Sequence, residues 1–238
     1  MTPIEIVLVV AAVAAGSLVQ ASAGIGIALV AGPVLIAVDP AFVPLPLILG
    51  GGVVGIRNVT MEFSGFDARR WWKCLLGAPA GLILGEVALN GLSERGLTLA
   101  VGVLVVLSVV AVVSGWKPPA RRWTSTLAGA LSAFTLRVAA LPGPPYAILH
   151  HDDPPHVLRP NISAFVMVMT VVVTVRLLVD GAIDGDEMGR IALVMGSAVI
   201  GLVLAPPVRR WVDRDWFRPV LLGICGLGGL ATIVSALA

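Results

Sequence analysis

The sequence predicts an all-α polytopic membrane protein made of two inverted repeats, each a broken-helix hairpin followed by three transmembrane helices. Three observations predict it. Apolar residues make up 58% of the 238 and charged residues only 13%, with a mean hydropathy of +0.98. A water-soluble domain keeps roughly a quarter of its residues charged. The charges cluster between long uncharged runs, most of them near the roughly 20 residues a helix needs to cross about 30 Å of hydrocarbon. Two of those runs are broken, at corresponding places in the two halves.

In chain order the apolar stretches are about 4–37, 42–61, 74–92, 97–115, 124–150, 161–179, 188–206 and 219–237. The first begins at Ile4 with no basic leader and no small-residue cleavage site, so it reads as part of the mature chain. As a single helix it would be about 51 Å long, too long for one crossing. Ser22-Ala23-Gly24-Ile25-Gly26 breaks it near its middle. Leu141-Pro142-Gly143-Pro144-Pro145 breaks the stretch 124–150 in the same way. Both read as hairpins, either re-entrant or fully spanning, with a non-helical tip that must be buried in protein. The remaining stretches are of single-helix length. The 27 glycines and 17 prolines lie inside apolar runs, which excludes a disordered low-complexity chain. The alternating strands of an outer-membrane barrel are absent. Cys74 and Cys225 lie far apart in apolar surroundings, with neither metal nor redox spacing, and read as packing residues.

The halves repeat. A shift of 119 residues (57 to 176) carries Arg57 onto Arg176, Asp67 onto Asp186 and Gly77 onto Gly196. A shift of 111 (32 to 143) carries Gly32-Pro33 onto Gly143-Pro144. The repeats are residues 1–116 and 117–238, within one membrane domain. Arg57, Arg69, Arg70, Lys73, Lys117, Arg121, Arg122, Arg159, Arg209, Arg210, Arg214 and Arg218 fall on one side if each hairpin returns to its own face or crosses twice. They are most of the 16 basic residues and mark that side as cytoplasmic. Trp71, Trp72, Trp116, Trp123, Trp211 and Trp216 fall at the same interface, where amphipathic rings are favoured. The acidic run Asp180, Asp184, Asp186, Glu187 falls on the other side. Both termini are then extracytoplasmic. Three full crossings separate equivalent points, so the repeats are inverted.

Inverted repeats with broken helices place a substrate site near mid-membrane, where the breaks meet. A helix that starts there presents unpaired backbone N–H groups and the positive end of its dipole, which favours an anion. The helices starting near Gly26 and Pro144 are the candidates, with Gly24, Gly26 and Gly143 allowing close approach to the backbone. Gln20, Ser22, Asn161 and Ser163 supply neutral hydrogen-bonding groups for the substrate, and Ser132, Thr135, Asn58 and Thr60 lie nearby. Arg137, five residues before the second break, is a charge inside an apolar stretch. It either holds an anionic substrate, snorkels to the headgroups, or pairs with a carboxylate. Glu86 is a carboxylate within the third stretch, suited to proton coupling or to the outer interface. His150, His151, Asp152, Asp153 and His156 look like a metal cluster but precede or flank prolines in a cytoplasmic loop, and read as a solvated turn. No catalytic, nucleotide-binding or metal-binding motif stands out; no enzyme activity, cofactor or nucleic-acid partner is expected, and active transport would use an ion gradient or a partner subunit.

Two segments resemble the TauE/SafE family of sulfite and organosulfonate permeases. Gly16-Ser17-Leu18-Val19-Gln20-Ala21-Ser22-Ala23-Gly24-Ile25-Gly26 with Gly32-Pro33 is similar to that family's N-terminal glycine motif. Leu141-Pro142-Gly143-Pro144-Pro145 followed by Leu158-Arg159-Pro160-Asn161-Ile162-Ser163-Ala164-Phe165 is similar to its mid-chain motif. The resemblance implies a bacterial cytoplasmic-membrane permease for a small sulfur-containing anion. The sequence departs from the pattern at Thr135-Leu136-Arg137-Val138-Ala139-Ala140, where many relatives have more glycine and threonine, and that leaves the anion open. A passive anion channel and a non-transporting membrane scaffold are the alternatives. The oligomeric state stays open, a homodimer included.

Overall fold

A computed structural model describes residues 1–23, 27–115, 119, 121–150, 153–179, 181, 183–212 and 217–237. Gly24, Ile25, Gly26, Trp116, Lys117, His151, Asp152, Asp180, Arg214 and Trp216, singled out above, lie outside the described residues. Every regular element described is helical. In the first half, α1 (Pro3–Ala23) and α2 (Ile27–Val38) flank the first break. A 3-10 turn (Pro40–Phe42) leads to α3 (Leu45–Met61), and a second (Phe63–Gly65) to α4 (Ala68–Leu75), α5 (Ala78–Gly91) and α6 (Glu94–Val113). In the second half, α7 (Arg122–Ala139) and α8 (Gly143–Leu149) flank the second break and precede α9 (Pro155–Val179), α10 (Gly185–Val212) and α11 (Phe217–Leu237). Among the described residues, six segments are long and apolar enough to cross a membrane: Pro3–Ser22, Pro40–Met61, Ala68–Gly91, Glu94–Val113, His156–Val179 and Gly185–Pro206. The chain is therefore an all-helical, multi-pass membrane protein.

The second break has a local cause. At the end of α7, Ala140 takes the left-handed conformation (φ 56°, ψ 28°). Its N–H donates to the Leu136 carbonyl at 2.9 Å, and the Leu141 N–H to the Thr135 carbonyl at 3.1 Å. This is the closure that ends a helix by satisfying its last carbonyls. Pro144 and Pro145 then fall in the first turn of α8, where an absent N–H is tolerated. At the start of α4, the Asp67 carboxylate accepts from the Arg69 and Arg70 N–H groups at 3.0 and 3.2 Å and caps the helix.

The most extensive helix contacts all join one half of the chain to the other: α1 on α10, α5 on α7, α6 on α11 and α3 on α9. If α1, α3, α5 and α6 answer to α7, α9, α10 and α11, then α1–α10 and α7–α5 are one contact repeated. The other two contacts join equivalent helices. A two-fold relation between the halves would produce this exchange.

Backbones meet closely where small residues face each other. A Cβ added to Gly77 would stand 1.9 Å from the Thr126 carbonyl oxygen, and one added to Gly81 would stand 2.0 Å from that of Ala130. Lipid supplies little hydrophobic drive between helices, so close backbone packing takes its place. The outer surface is apolar: Val203 and Leu227 are each 70% exposed, a surface suited to acyl chains rather than water.

Candidate functional site

Gln20 sits in the last turn of α1, 7% exposed, and ties the first break together. Its Oε1 accepts from the backbone N–H of Ile27, the first residue of α2, at 3.3 Å, and its Nε2 donates to the Gly51 carbonyl in the middle of α3 at 3.2 Å. Buried Asn58 donates to the Gln20 carbonyl at 3.4 Å and to Ser163 Oγ at 3.3 Å. A helix that stops inside a protein leaves backbone groups without partners; here side chains from α3 and α9 supply partners.

Arg159, near the start of α9, closes the same break from the other side. It is 4% exposed and donates to the Ser22 carbonyl, at the negative end of α1 where a cation is favoured. Its Nε and Nη2 each lie 2.8 Å from the two carboxylate oxygens of Glu62, just past α3. This two-point geometry is the strong form of such a pair. Asn161 donates to the carbonyls of Gly65 at 2.9 Å and Val157 at 2.7 Å, and accepts from the Asp67 N–H at 2.9 Å. It pins the turn between α3 and α4.

The flanks of the first break face the second break across a cavity of about 20 Å³. Gln20 and the first turn of α2 (Ile27, Ala28, Leu29) form one wall. The residues of the second break, Ala140 to Pro144, form the opposite one, and Ile162 and Val166 of α9 close it. That volume holds about one water molecule. The α2 wall is the richer in backbone donors, because Pro142 and Pro144 in the opposite wall carry no N–H. The Ser22, Ser17 and Ser132 hydroxyls are buried without a hydrogen-bond partner among the described residues.

Of the expected site residues, Gln20 and Gly143 line this cavity. Ser163 neighbours the lining residue Ile162 and bonds Asn58, whereas Ser22 and Asn161 are placed through Arg159 and the α3–α4 turn as described. Gly24 and Gly26 are outside the described residues. Arg137 and Glu86 come together instead of facing the cavity: Arg137 Nε lies 2.7 Å from Glu86 Oε2. Gly85 makes room for this, since a Cβ there would stand 2.7 Å from that of Arg137. The pair lines a second cleft of about 440 Å³ between α5, α7 and α9, with Leu82, Ile83, Val172 and Arg176 among its walls.

His150 departs from the solvated turn expected of its segment. It is 6% exposed and stacks on Tyr146 with ring centroids 4.7 Å apart. Its Nδ1 lies 3.1 Å from Asp153 Oδ2, and its Nε2 lies 3.9 Å from Cys74 Sγ. Burial pushes the imidazole below its ordinary pKa, against the opposing pull of Asp153. His156 is exposed. No group of three metal-ligating side chains forms among the described residues.

Arg159 and Glu62 are the members of the site that sequence reasoning missed. Arg159 was legible as a basic loop residue and as a member of the mid-chain motif, but nothing local gave it a place in the site. Glu62 had one signal, a carboxylate directly after an apolar stretch, but nothing local names its partner.

No curated protein and no solved structure matches the chain. The profile of the sulfite exporter TauE/SafE family matches residues 8–232. With nearly the whole sequence matched, the chain belongs to the sulfite exporter TauE/SafE family.

Proposed function

We propose that this protein is a secondary transporter for a small sulfur-containing anion, sulfite or a sulfonate, whose site lies where the two helix breaks meet. One observation carries the reading: a cavity lies between the flanks of the first break and the second break, with Gln20 and the start of α2 on one side and Gly143 on the other. The positive end of α2 favours an anion, the Gln20 amide offers a donor, and Gly143 lets a ligand approach the backbone. Asn161 and Ser163 act by holding α9 in place.

The Arg137–Glu86 pair supplies a coupling step. With Glu86 ionised, the two charges offset each other. A proton on Glu86 would leave the Arg137 charge uncompensated three residues before the break at Ala140, and would strengthen anion binding in the adjoining cavity. Proton and anion would then be taken up together. The basic ends of the helices lie in the cytoplasm and both termini outside, in the cytoplasmic membrane of a bacterium.

Purified protein tests the reading. Thermal stability is measured with sulfite, sulfonates, sulfate and carboxylates, and uptake is measured in proteoliposomes with and without a proton gradient. A sulfur anion should raise the melting temperature, and its uptake should follow the gradient. Stabilisation by none of these anions would overturn the anion site. Flux indifferent to the gradient would leave a passive channel, and absence of flux a scaffold.

A further inference from the structure

Two ion-pair triads occupy corresponding places in the two halves. Asp39, at the turn before α3, pairs with Arg190 of α10 at 2.9 Å, and Arg190 also reaches Glu187, three residues earlier, at 3.5 Å. Asp153, in the loop before α9, pairs with Arg70 of α4 at 2.6 Å, and Arg70 also reaches Asp67, three residues earlier, at 3.3 Å. A shift of 120 residues (70 to 190) carries Asp67 and Arg70 onto Glu187 and Arg190, and a shift of 114 (39 to 153) carries Asp39 onto Asp153. Each aspartate follows a broken hairpin, and each arginine lies in the helix that opens the next crossing.

The carboxylates are divided in the same way. Asp39 gives one oxygen to the Ala41 N–H within its own loop, and Asp153 gives one to His150; the other oxygen in each case meets the arginine of the opposite half. The triads also lie at opposite ends of the molecule. Asp39 precedes α3 and Arg70 follows it, and the 17 residues of α3 span roughly 25 Å. Gly51, whose carbonyl bonds the cavity residue Gln20, is near the middle of that span.

The cavity has room for about one water, so an oxyanion with several heavy atoms enters only after the packing at one end loosens. We propose that the two triads are exchanging latches: release of Asp39–Arg190 opens the cavity toward the Asp39 face, and release of Asp153–Arg70 opens it toward the Arg70 face. This rests on the transport reading and deepens it by naming the positioning residues of alternating access. Pairs this exposed, with Arg70 at 51% and Asp39 at 31%, hold weakly enough to break in every cycle.

The test needs no known substrate. Ala28, in the cavity wall, is replaced by cysteine as a reporter in the full chain. Labelling by a membrane-impermeant maleimide is timed in right-side-out and inside-out vesicles, against the chain without the reporter. Asp39→Asn should speed labelling about fivefold, or roughly 1 kcal/mol, from the Asp39 face alone. Asp153→Asn should do the same from the Arg70 face alone, whereas Asp39→Glu and Asp153→Glu, which keep the charge, should label like the parent. Leu141→Cys, on the opposite wall, serves as the reporter if Ala28→Cys does not reach the membrane. Labelling that rises from both faces, from the same face for both variants, or not at all overturns the latches, as does a glutamate variant that behaves like its asparagine counterpart. Face-specific labelling without anion uptake would retain the latches and refute transport. Uptake without face-specific labelling would do the reverse.

Discussion

Removing Glu62 tests whether Arg159 holds the first helix break closed. The Arg159 side chain is 5% exposed and that of Glu62 21%, so Glu62→Ala leaves a buried guanidinium without its carboxylate. Deleting one partner of a fully buried pair costs about 3–5 kcal/mol. The partial exposure of Glu62, and the bond Arg159 keeps to the Ser22 carbonyl, lower this to about 2–4 kcal/mol. At about 2–4 °C per kcal/mol for a chain of this size, the melting temperature in detergent should fall by about 4–16 °C. Arg159→Met, which keeps most of the stem but removes the charge, completes a double-mutant cycle. The double variant should be more stable than Glu62→Ala alone, because no orphaned charge is left behind. A loss below about 1 kcal/mol for Glu62→Ala, or strict additivity across the cycle, would refute the reasoning.

Gln20→Ala should leave the Gly51 carbonyl and the Ile27 N–H without their side-chain partner and lower stability by about 2–3 kcal/mol. It should also abolish anion-induced stabilisation, read by thermal shift. Gly81→Ala places a methyl 2.0 Å from a carbonyl oxygen that cannot rotate away; α5 and α7 must part, at about 1–3 kcal/mol by thermal unfolding. Glu86→Gln should make uptake indifferent to the proton gradient while anion-induced stabilisation persists, as flux and thermal-shift measurements on the same preparation would show. His150 is held neutral by burial, so its folded pKa lies below the unfolded value of about 6.5. Stability is unaffected by this group above that pH. It falls as pH drops below it, because the unfolded chain takes the proton first. His150→Phe, which keeps a ring against Tyr146, should flatten the acid limb of the melting curve against pH; an unchanged limb would exclude His150 as its source.

The helices and the second break were legible in the sequence because their causes are local. A run such as 97–115 is apolar whatever surrounds it, and Pro144-Pro145 cannot continue a helix in any context. Gln20 and Gly143 were legible as site candidates because they flank the two breaks. Arg137 was legible as a charge that needs compensation, and a carboxylate was among the partners considered. Which carboxylate was not legible, since Glu86 lies on another helix and meets Arg137 only because Gly85 lets the two helices close. His150 looked solvated because its neighbours are polar. It is buried because, at the end of α8, it packs against the Tyr146 ring and the Cys74 sulfur of α4.

By itself, the sequence determined that the chain crosses lipid repeatedly, where it cannot remain helical, and which family it resembles. Transfer free energy and backbone geometry belong to the residues themselves, and they act wherever the residues are placed. Only the tertiary structure decided that the flanks of the first break face the second across one cavity and that Arg159 ties the end of α1 to α9 and Glu62. It alone brought Asp39 to Arg190 and Asp153 to Arg70. An ion pair depends on a separation of a few ångströms, and for residues on different helices that separation is set by how the halves pack.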